Sequence, residues 1–191
     1  MRRQRNLLGP QGIGGMVGLW GASSLVTSGQ QANITIPLSG SANSNTSTIS
    51  SVDLTRSIIL WGGVFPSAYN RNDLDGIRVA LTNATTVTAT RSGVSAADSY
   101  TTYSVMEFQP GVIRNVQRGT STMSSTTIHN TITVVNLAKT FYTFLGISDA
   151  DVSATTQRLN AYMYFVNPTD LAVAVYTASS QVVGWQVVEF Y

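Results

Sequence analysis

The end of this chain repeats its middle, and this repetition constrains the possible folds more than any other feature. Residues 103–108 read YSVMEF and the last seven residues read WQVVEFY, which aligns Glu107 with Glu189 at an offset of 82 residues. Two further anchors occur in the same order at offsets of 83 and 84. These are TISSVDLTRS at 48–57 with TITVVNLAKT at 131–140, and LTN at 81–83 with FVN at 165–167. Ordered anchors at nearly one spacing predict a structural unit that is built twice.

Each repeat reads as a series of short strands. Ile77, Val79 and Leu81 alternate with polar or small residues, the period of two that a strand with one buried face requires. Ala161, Met163 and Phe165 occupy the equivalent inward positions. With 24 Thr, 22 Ser and only 10% charged residues, the chain also favours strands over amphipathic helices. The sequence therefore predicts an all-β fold of two tandem antiparallel β-sandwich domains, residues 31–110 and 111–191, behind an extended N-terminal arm.

The predicted arm, residues 1–30, differs from the rest in composition. It is rich in Gly and holds three of the 11 basic residues, which leaves eight bases against nine acids in the body. Its glycines and Pro10 interrupt the apolar stretch, which argues against a secretory signal. Such a segment buries no core by itself, so we expect a partner to hold it. The residues expected to anchor it are Arg2, Arg3, Arg5, Leu7, Leu8 and Trp20.

Two tyrosines form the other candidate site. If Met163 faces the core, Tyr162 and Tyr164 lie on the opposite face of the same strand. Exposed aromatic stripes mark interfaces or sugar-binding platforms. The alternative, a second sheet that covers both rings, is equally compatible with the sequence.

The residues that could carry catalysis or bind a metal are few. His129 is the single histidine, and the sequence indicates no carboxylate to orient it. Glu107 and Glu189 are equivalent positions of two repeats, so we expect them to be structural, for example as partners of arginines, rather than an acid/base pair. The chain has no cysteine. We therefore expect no catalytic residue, no cofactor and no metal site.

Several segments together resemble a small β-sandwich module of bacteriophage virion structural proteins. They are RVALTNATTVTATR at 78–91, VIRNVQRGTSTM at 112–123, TITVVNLAKTF at 131–141 and WQVVEF at 185–190. The family occurs in tail, fibre and head-associated proteins, often in tandem, and is similar to H-type lectins. The resemblance covers roughly residues 40–191, and the first repeat lacks an obvious VQRGT segment. It transfers no catalytic residue.

The resemblance implies a non-enzymatic virion structural protein, anchored by its arm as a tail- or neck-associated appendage of fibre type. The alternatives are a capsid decoration (cement) protein and a lectin-like module that binds host glycans. The expected partners are other phage virion proteins, in the tail, neck, portal-proximal region or capsid, and further copies of the chain. A host surface glycan is the additional partner that the lectin alternative implies. We expect no membrane span and no nucleic-acid binding, and a location in the virion after assembly in the bacterial cytoplasm.

Overall fold

The protein is an antiparallel β-protein, as the sequence predicts. The structure, a computed structural model, describes residues 25–36, 43–66, 76–91, 98–148, 160–177 and 181–191. These ranges contain twelve strands and one 3-10 turn (Leu137–Lys139), and no α-helix. The strands are β1 (Val26–Ile36), β2 (Ser44–Thr48), β3 (Ser57–Pro66), β4 (Arg78–Asn83), β5 (Thr86–Thr90), β6 (Ser99–Phe108), β7 (Ile113–Thr122), β8 (Thr127–Thr131), β9 (Thr140–Ser148), β10 (Ala161–Asn167), β11 (Asp170–Val175) and β12 (Val182–Phe190). No helix in the described ranges is long and apolar enough to cross a membrane.

The strands form three sheets, and their pairing repeats between the two halves of the chain. Sheet A has the order β1-β6-β3, sheet B the order β10-β11-β8, and sheet C the order β2-β5-β4-β9-β12-β7. In the first half β6 lies between β1 and β3, and β5 between β2 and β4. In the second half β12 lies between β7 and β9, and β11 between β10 and β8. Sheet C contains strands of both halves, so strand pairing does not divide the chain into two domains. The predicted boundaries at 31–110 and 111–191 therefore stay a prediction.

Asn83 and Asn167 end the fourth strand of their halves, where an asparagine predicts a tight turn. Asn83 Oδ1 accepts a hydrogen bond from Thr85 N at 2.9 Å, and Asn167 Oδ1 accepts one from Thr169 N at 2.8 Å. A side chain that satisfies the backbone two residues on fixes a tight turn between antiparallel strands. The same local chemistry therefore closes both hairpins.

A glutamine on the first strand of each half holds the segment that follows the second strand. Gln30 donates to Ser50 O at 3.1 Å and accepts from Ser50 N at 2.6 Å. Gln117 donates to Thr133 O at 3.0 Å and accepts from Thr133 N at 2.6 Å. The VQRGT segment at 116–120 therefore has an equivalent in the first repeat, GQQAN at 29–33. The offset between Gln30 and Gln117 is 87 residues.

A glycine bulge at the third strand of each half explains how sheet C joins the two repeats. Gly63 and Gly146 both have a positive φ, +105° and +93°, which favours glycine. Arg78 on β4 pairs with Gly146 on β9. A Cβ atom at Gly146 would lie 2.1 Å from Ile77 O. Glycine is therefore needed at position 146 both for its conformation and for the close approach of β4.

Three hydrophobic cores lie between the sheets. The first separates sheet A from the β2-β5-β4 part of sheet C and includes Ile34, Ile59, Val79, Val87, Tyr103 and Val105. The second separates sheet B from the β9-β12-β7 part and includes Met163, Leu171, Val173, Val183, Trp185 and Val187. The third lies between the opposite face of sheet A and the opposite face of the β9-β12-β7 part. Ile58, Ile113 and Val188 are buried in it, and the residues packed around them are Leu60, Met106, Phe108, Phe141 and Phe190. Strand β12 is consequently buried on both faces.

The predicted arm is too long at its C-terminal end. Strand β1 begins at Val26, opposite Phe108 on β6, so residues 26–30 belong to sheet A. Gln109 N also donates to Leu25 O at 2.9 Å. Thr, Ser, Gly and Gln in this segment show no apolar alternation, but their backbone groups pair with β6 regardless of side chain. Residues 1–24 lie outside the described residues.

Candidate functional site

The outer face of sheet B carries two stacked tyrosines. Tyr162 and Tyr164 on β10 are 63% and 40% exposed, and Met163 between them is 8% exposed. The ring centroids of the two tyrosines lie 5.9 Å apart with an interplanar angle of 17°. The strand faces predicted from the sequence are therefore confirmed. The role of this pair as an interface stays a prediction.

The tyrosines stand beside alanines on the neighbouring strand. Ala172 pairs with Tyr164 and Ala174 with Tyr162, so all four side chains project from the outer face. The two alanines are nevertheless 0% and 2% exposed. The exposed part of this face is thus an aromatic surface on an apolar base.

His129 also lies on this face and has a carboxylate partner that the sequence did not reveal. Its Nδ1 lies 2.8 Å from Asp170 Oδ2, with 57% of the histidine side chain exposed. Among the described residues no hydroxyl is hydrogen-bonded to the other ring nitrogen, so the geometry is that of a pair on an open sheet face. No group of three or more His, Asp or Glu residues in the described ranges is placed to hold a metal ion.

The two glutamates form separate ion pairs. Glu107 Oε1 lies 2.5 Å from Arg56 Nη2, and Glu189 Oε1 lies 3.2 Å from Arg114 Nη1. Asn136 N also donates to Glu189 Oε1 at 3.0 Å. Both glutamates are buried, so an opposite charge is needed to offset the cost of desolvation. The expected pairing of each glutamate with an arginine is observed.

The turn before the third strand has a carboxylate in one repeat and an amide in the other. Asp53 accepts from Thr55 Oγ1 at 2.7 Å, from Thr55 N at 2.9 Å and from Arg56 Nε at 3.0 Å. These hydrogen bonds, with that of the Thr55 hydroxyl the largest cause, lower the pKa of Asp53 to about 2. The equivalent residue, Asn136, accepts from Ala138 N at 3.0 Å. The same turn therefore forms with and without a charge.

Arg118, which the sequence analysis did not single out, joins the two halves. From β7 it donates to Leu54 O through Nη1 at 3.1 Å and to Ser57 O through Nη2. Its Nε donates to Gln186 Oε1 at 3.0 Å. Burial lowers the pKa of Arg118 to about 10, which still leaves the guanidinium charged at neutral pH. The one signal in the sequence is an arginine inside a strand with no acidic residue nearby.

Gln186 completes this junction. Its Oε1 accepts from Ile59 N and its Nε2 donates to Ile59 O, each at 3.2 Å. The side chain thereby satisfies both backbone groups of one residue on β3, the outermost strand of sheet A. An unpaired buried backbone group is costly, so Gln186 and Arg118 together replace a missing neighbouring strand.

The predicted anchoring residues precede Leu25, the first residue that the structure describes. Arg2, Arg3, Arg5, Leu7, Leu8 and Trp20 all lie outside the described residues.

A scan of protein-family models, a search of curated proteins and a search of solved structures each find no significant match to this chain. The resemblance to phage virion modules accordingly stays an interpretation of the sequence.

Proposed function

We propose that this protein is a non-enzymatic structural component of a bacteriophage particle, a tail- or neck-associated appendage of fibre type. The observation that supports it best is the repeated six-strand unit whose two copies are joined by a hydrophobic core. The hydrogen bonds of Arg118 and Gln186 cross the same junction. Halves joined through buried contacts keep one relative position, in contrast to domains with small polar interfaces. A fixed shape suits a part of an assembled particle.

The proposed attachment is through the N-terminal segment. Arg2, Arg3 and Arg5 would pair with acidic groups of a neighbouring virion protein, and Leu7, Leu8 and Trp20 would be buried against it. This part of the proposal rests on the sequence. Since β1 begins at Val26, a deletion that tests it removes residues 1–24 and leaves sheet A complete.

The test is incorporation into particles assembled in the bacterial host. We expect mass spectrometry of purified particles to detect the full chain, and to detect the 1–24 deletion only at background level although it remains folded. Replacing Arg2, Arg3 and Arg5 together by Ala should weaken incorporation, and the difference from the full chain should be larger at low salt than at high salt, because added salt screens the ion pairs of the unaltered arginines. Normal incorporation of the deleted chain would contradict the proposed anchor. Absence of the full chain from particles would contradict the function itself.

The number of copies per particle distinguishes the proposed function from the first alternative, a capsid decoration protein. On the order of ten copies per particle would fit a symmetric ring at the neck or tail, whereas hundreds would fit a capsid decoration protein.

The stacked Tyr162–Tyr164 pair favours the second alternative, a glycan-binding module, because sugar rings pack on exposed aromatic faces. Binding to a glycan array that is lost in both Tyr162→Ala and Tyr164→Ala would support it. A matched control is Tyr191→Ala, at an exposed tyrosine outside sheet B. No binding by the unaltered chain would exclude this alternative for the glycans on the array.

A further inference from the structure

Among the described strands, β10 lies at an edge of sheet B. One side of the strand pairs with β11, and no strand in the described part of the chain pairs with its other side. The outer side of an edge strand presents unpaired N–H and C=O groups, which are a template for another strand. The edge runs for seven residues, Ala161–Asn167, which is long enough to form a stable ladder.

The other sheet edges differ from β10. Strand β1 also lacks charge and proline, but it is mostly polar and Thr35 O accepts a hydrogen bond from Asn45 Nδ2 at 2.7 Å. Strand β2 consists of Ser, Asn and Thr, and β8 is short and mostly polar. Strand β7 carries two arginines, and the edge of β3 is hydrogen-bonded by Gln186. Strand β10 reads AYMYFVN, with no charge and no proline. Charge and proline are the usual means of preventing edge-to-edge pairing, and both are absent here.

The first half of the molecule shows what this strand position does when it has a neighbour. Strand β4 is the equivalent of β10, at an offset of 84 residues. On the side away from β5, β4 meets β9, and this contact joins two three-stranded units into sheet C. Arg78, which makes that contact, aligns with Tyr162. The same position is thus already a lateral sheet junction once in this protein.

We propose that β10 pairs with β10 of a second copy of this chain, antiparallel across a two-fold axis, so that two copies of sheet B form one six-stranded sheet. A two-fold contact between identical strands is self-complementary, and β10 has no charge that would repel its own copy. The outward aromatic and β-branched side chains, Tyr162, Tyr164 and Val166, then form cross-strand pairs of the kind that stabilise sheets. This inference does not depend on a role in a virion.

The first experiment measures the oligomeric state of the full chain by analytical ultracentrifugation. We expect a concentration-dependent dimer whose dissociation constant rises by about tenfold or more in Tyr162→Lys or Tyr164→Lys. A lysine on an edge strand opposes pairing, and the effect should be larger at the position nearer the two-fold axis, where two lysines face each other. The control is Thr46→Lys, an exposed position on the polar edge strand β2, which should leave the dissociation constant unchanged. A monomeric unaltered chain, or a dimer that resists both lysine variants, would overturn the proposal.

The second experiment needs little change to the surface and remains informative if a lysine variant does not fold. Because the chain has no cysteine, single replacements Tyr162→Cys, Tyr164→Cys and Val166→Cys each give one defined thiol. Under mild oxidation the position nearest the two-fold axis should form disulfide-linked dimers fastest, well above Thr46→Cys. Equal and slow cross-linking at all four positions would contradict pairing through β10. If the unaltered chain is a monomer and binds a glycan that Tyr162→Ala no longer binds, this face is a sugar-binding surface and the proposed dimer is wrong.

Discussion

Strands β4 and β10 occupy the same place in the two repeats but have different surroundings. Their inward residues are alike, since Val79 and Met163 are both buried in the core of their own half. Their outward residues differ: Arg78 donates from Nε to Ser148 Oγ at 3.3 Å across the junction with β9, whereas Tyr162 is 63% exposed. Burial at that junction lowers the pKa of Arg78. The two repeats therefore share the inward residues of this strand, whereas the outward residues depend on which strand lies beside it.

The first strands of the two repeats teach the same lesson. Gln30 and Gln117 make the same pair of hydrogen bonds within their own halves. The next residues differ, since Gln31 is exposed while Arg118 reaches across to the other half. Residues shared by the repeats hold each half together, and residues that differ join the halves.

The largest expected effect tests whether the two halves unfold as one unit. Phe165→Ala and Leu81→Ala truncate equivalent inward side chains in the second and first half, and each should lower the free energy of unfolding by about 3 kcal/mol. Because the third core joins the halves, each change should shift one cooperative thermal transition measured by calorimetry. Two transitions, of which only one moves in each variant, would instead support two independent domains at 31–110 and 111–191.

The next prediction separates a residue that joins the halves from its equivalent. Arg118→Ala removes the guanidinium donors to Leu54 O and Ser57 O and one of the two donors to Gln186 Oε1, and should cost about 2–3 kcal/mol in urea unfolding. The equivalent change Gln31→Ala, at an exposed position, should stay within about 0.5 kcal/mol. Equal costs for the two variants would show that Arg118 contributes nothing specific to the junction.

A smaller effect tests the part that the repeats share. Gln30→Ala and Gln117→Ala each remove a pair of side chain to backbone hydrogen bonds, so each should cost about 1 kcal/mol. Their effects should add in the double variant, because the two contacts have no common partner. Strongly unequal costs, measured by urea unfolding, would mean that equal geometry in the two halves hides unequal packing.

The smallest effect is the acid response of the turn before the third strand. The folded pKa of Asp53, about 2, is below its ordinary value of 3.8, so its contribution to stability is complete above that value and is lost as the pH falls towards 2. In Asp53→Asn this acid-dependent part should disappear, and in the reciprocal Asn136→Asp a similar part should appear. The contribution is small because the carboxylate is exposed to solvent. Thermal unfolding between pH 2 and 6 measures it, and identical pH profiles for the parent and Asp53→Asn would contradict it.

The sequence by itself determined the features that depend on neighbours along the chain. The alternation of Ile77, Val79 and Leu81 identified the buried face of β4, because side chains of a strand point alternately to its two sides. The asparagines at 83 and 167 identified the turns, because their side chains bond the backbone two residues on. The repeat itself could be read for the same reason: each copy keeps its own local pattern.

Only the tertiary structure decided what joins the copies. Strand β12 shows no alternation because both of its faces are covered, one by sheet B and the other by sheet A. The polar start of β1, the contact of β4 with Gly146 and the hydrogen bonds of Arg118 all depend on partners dozens of residues away. Periodicity reports which residues of a strand share a face, but not what lies against that face. The partner is set by the packing of whole sheets, and so the joined edge of β4 and the open edge of β10 arise from the same strand pattern.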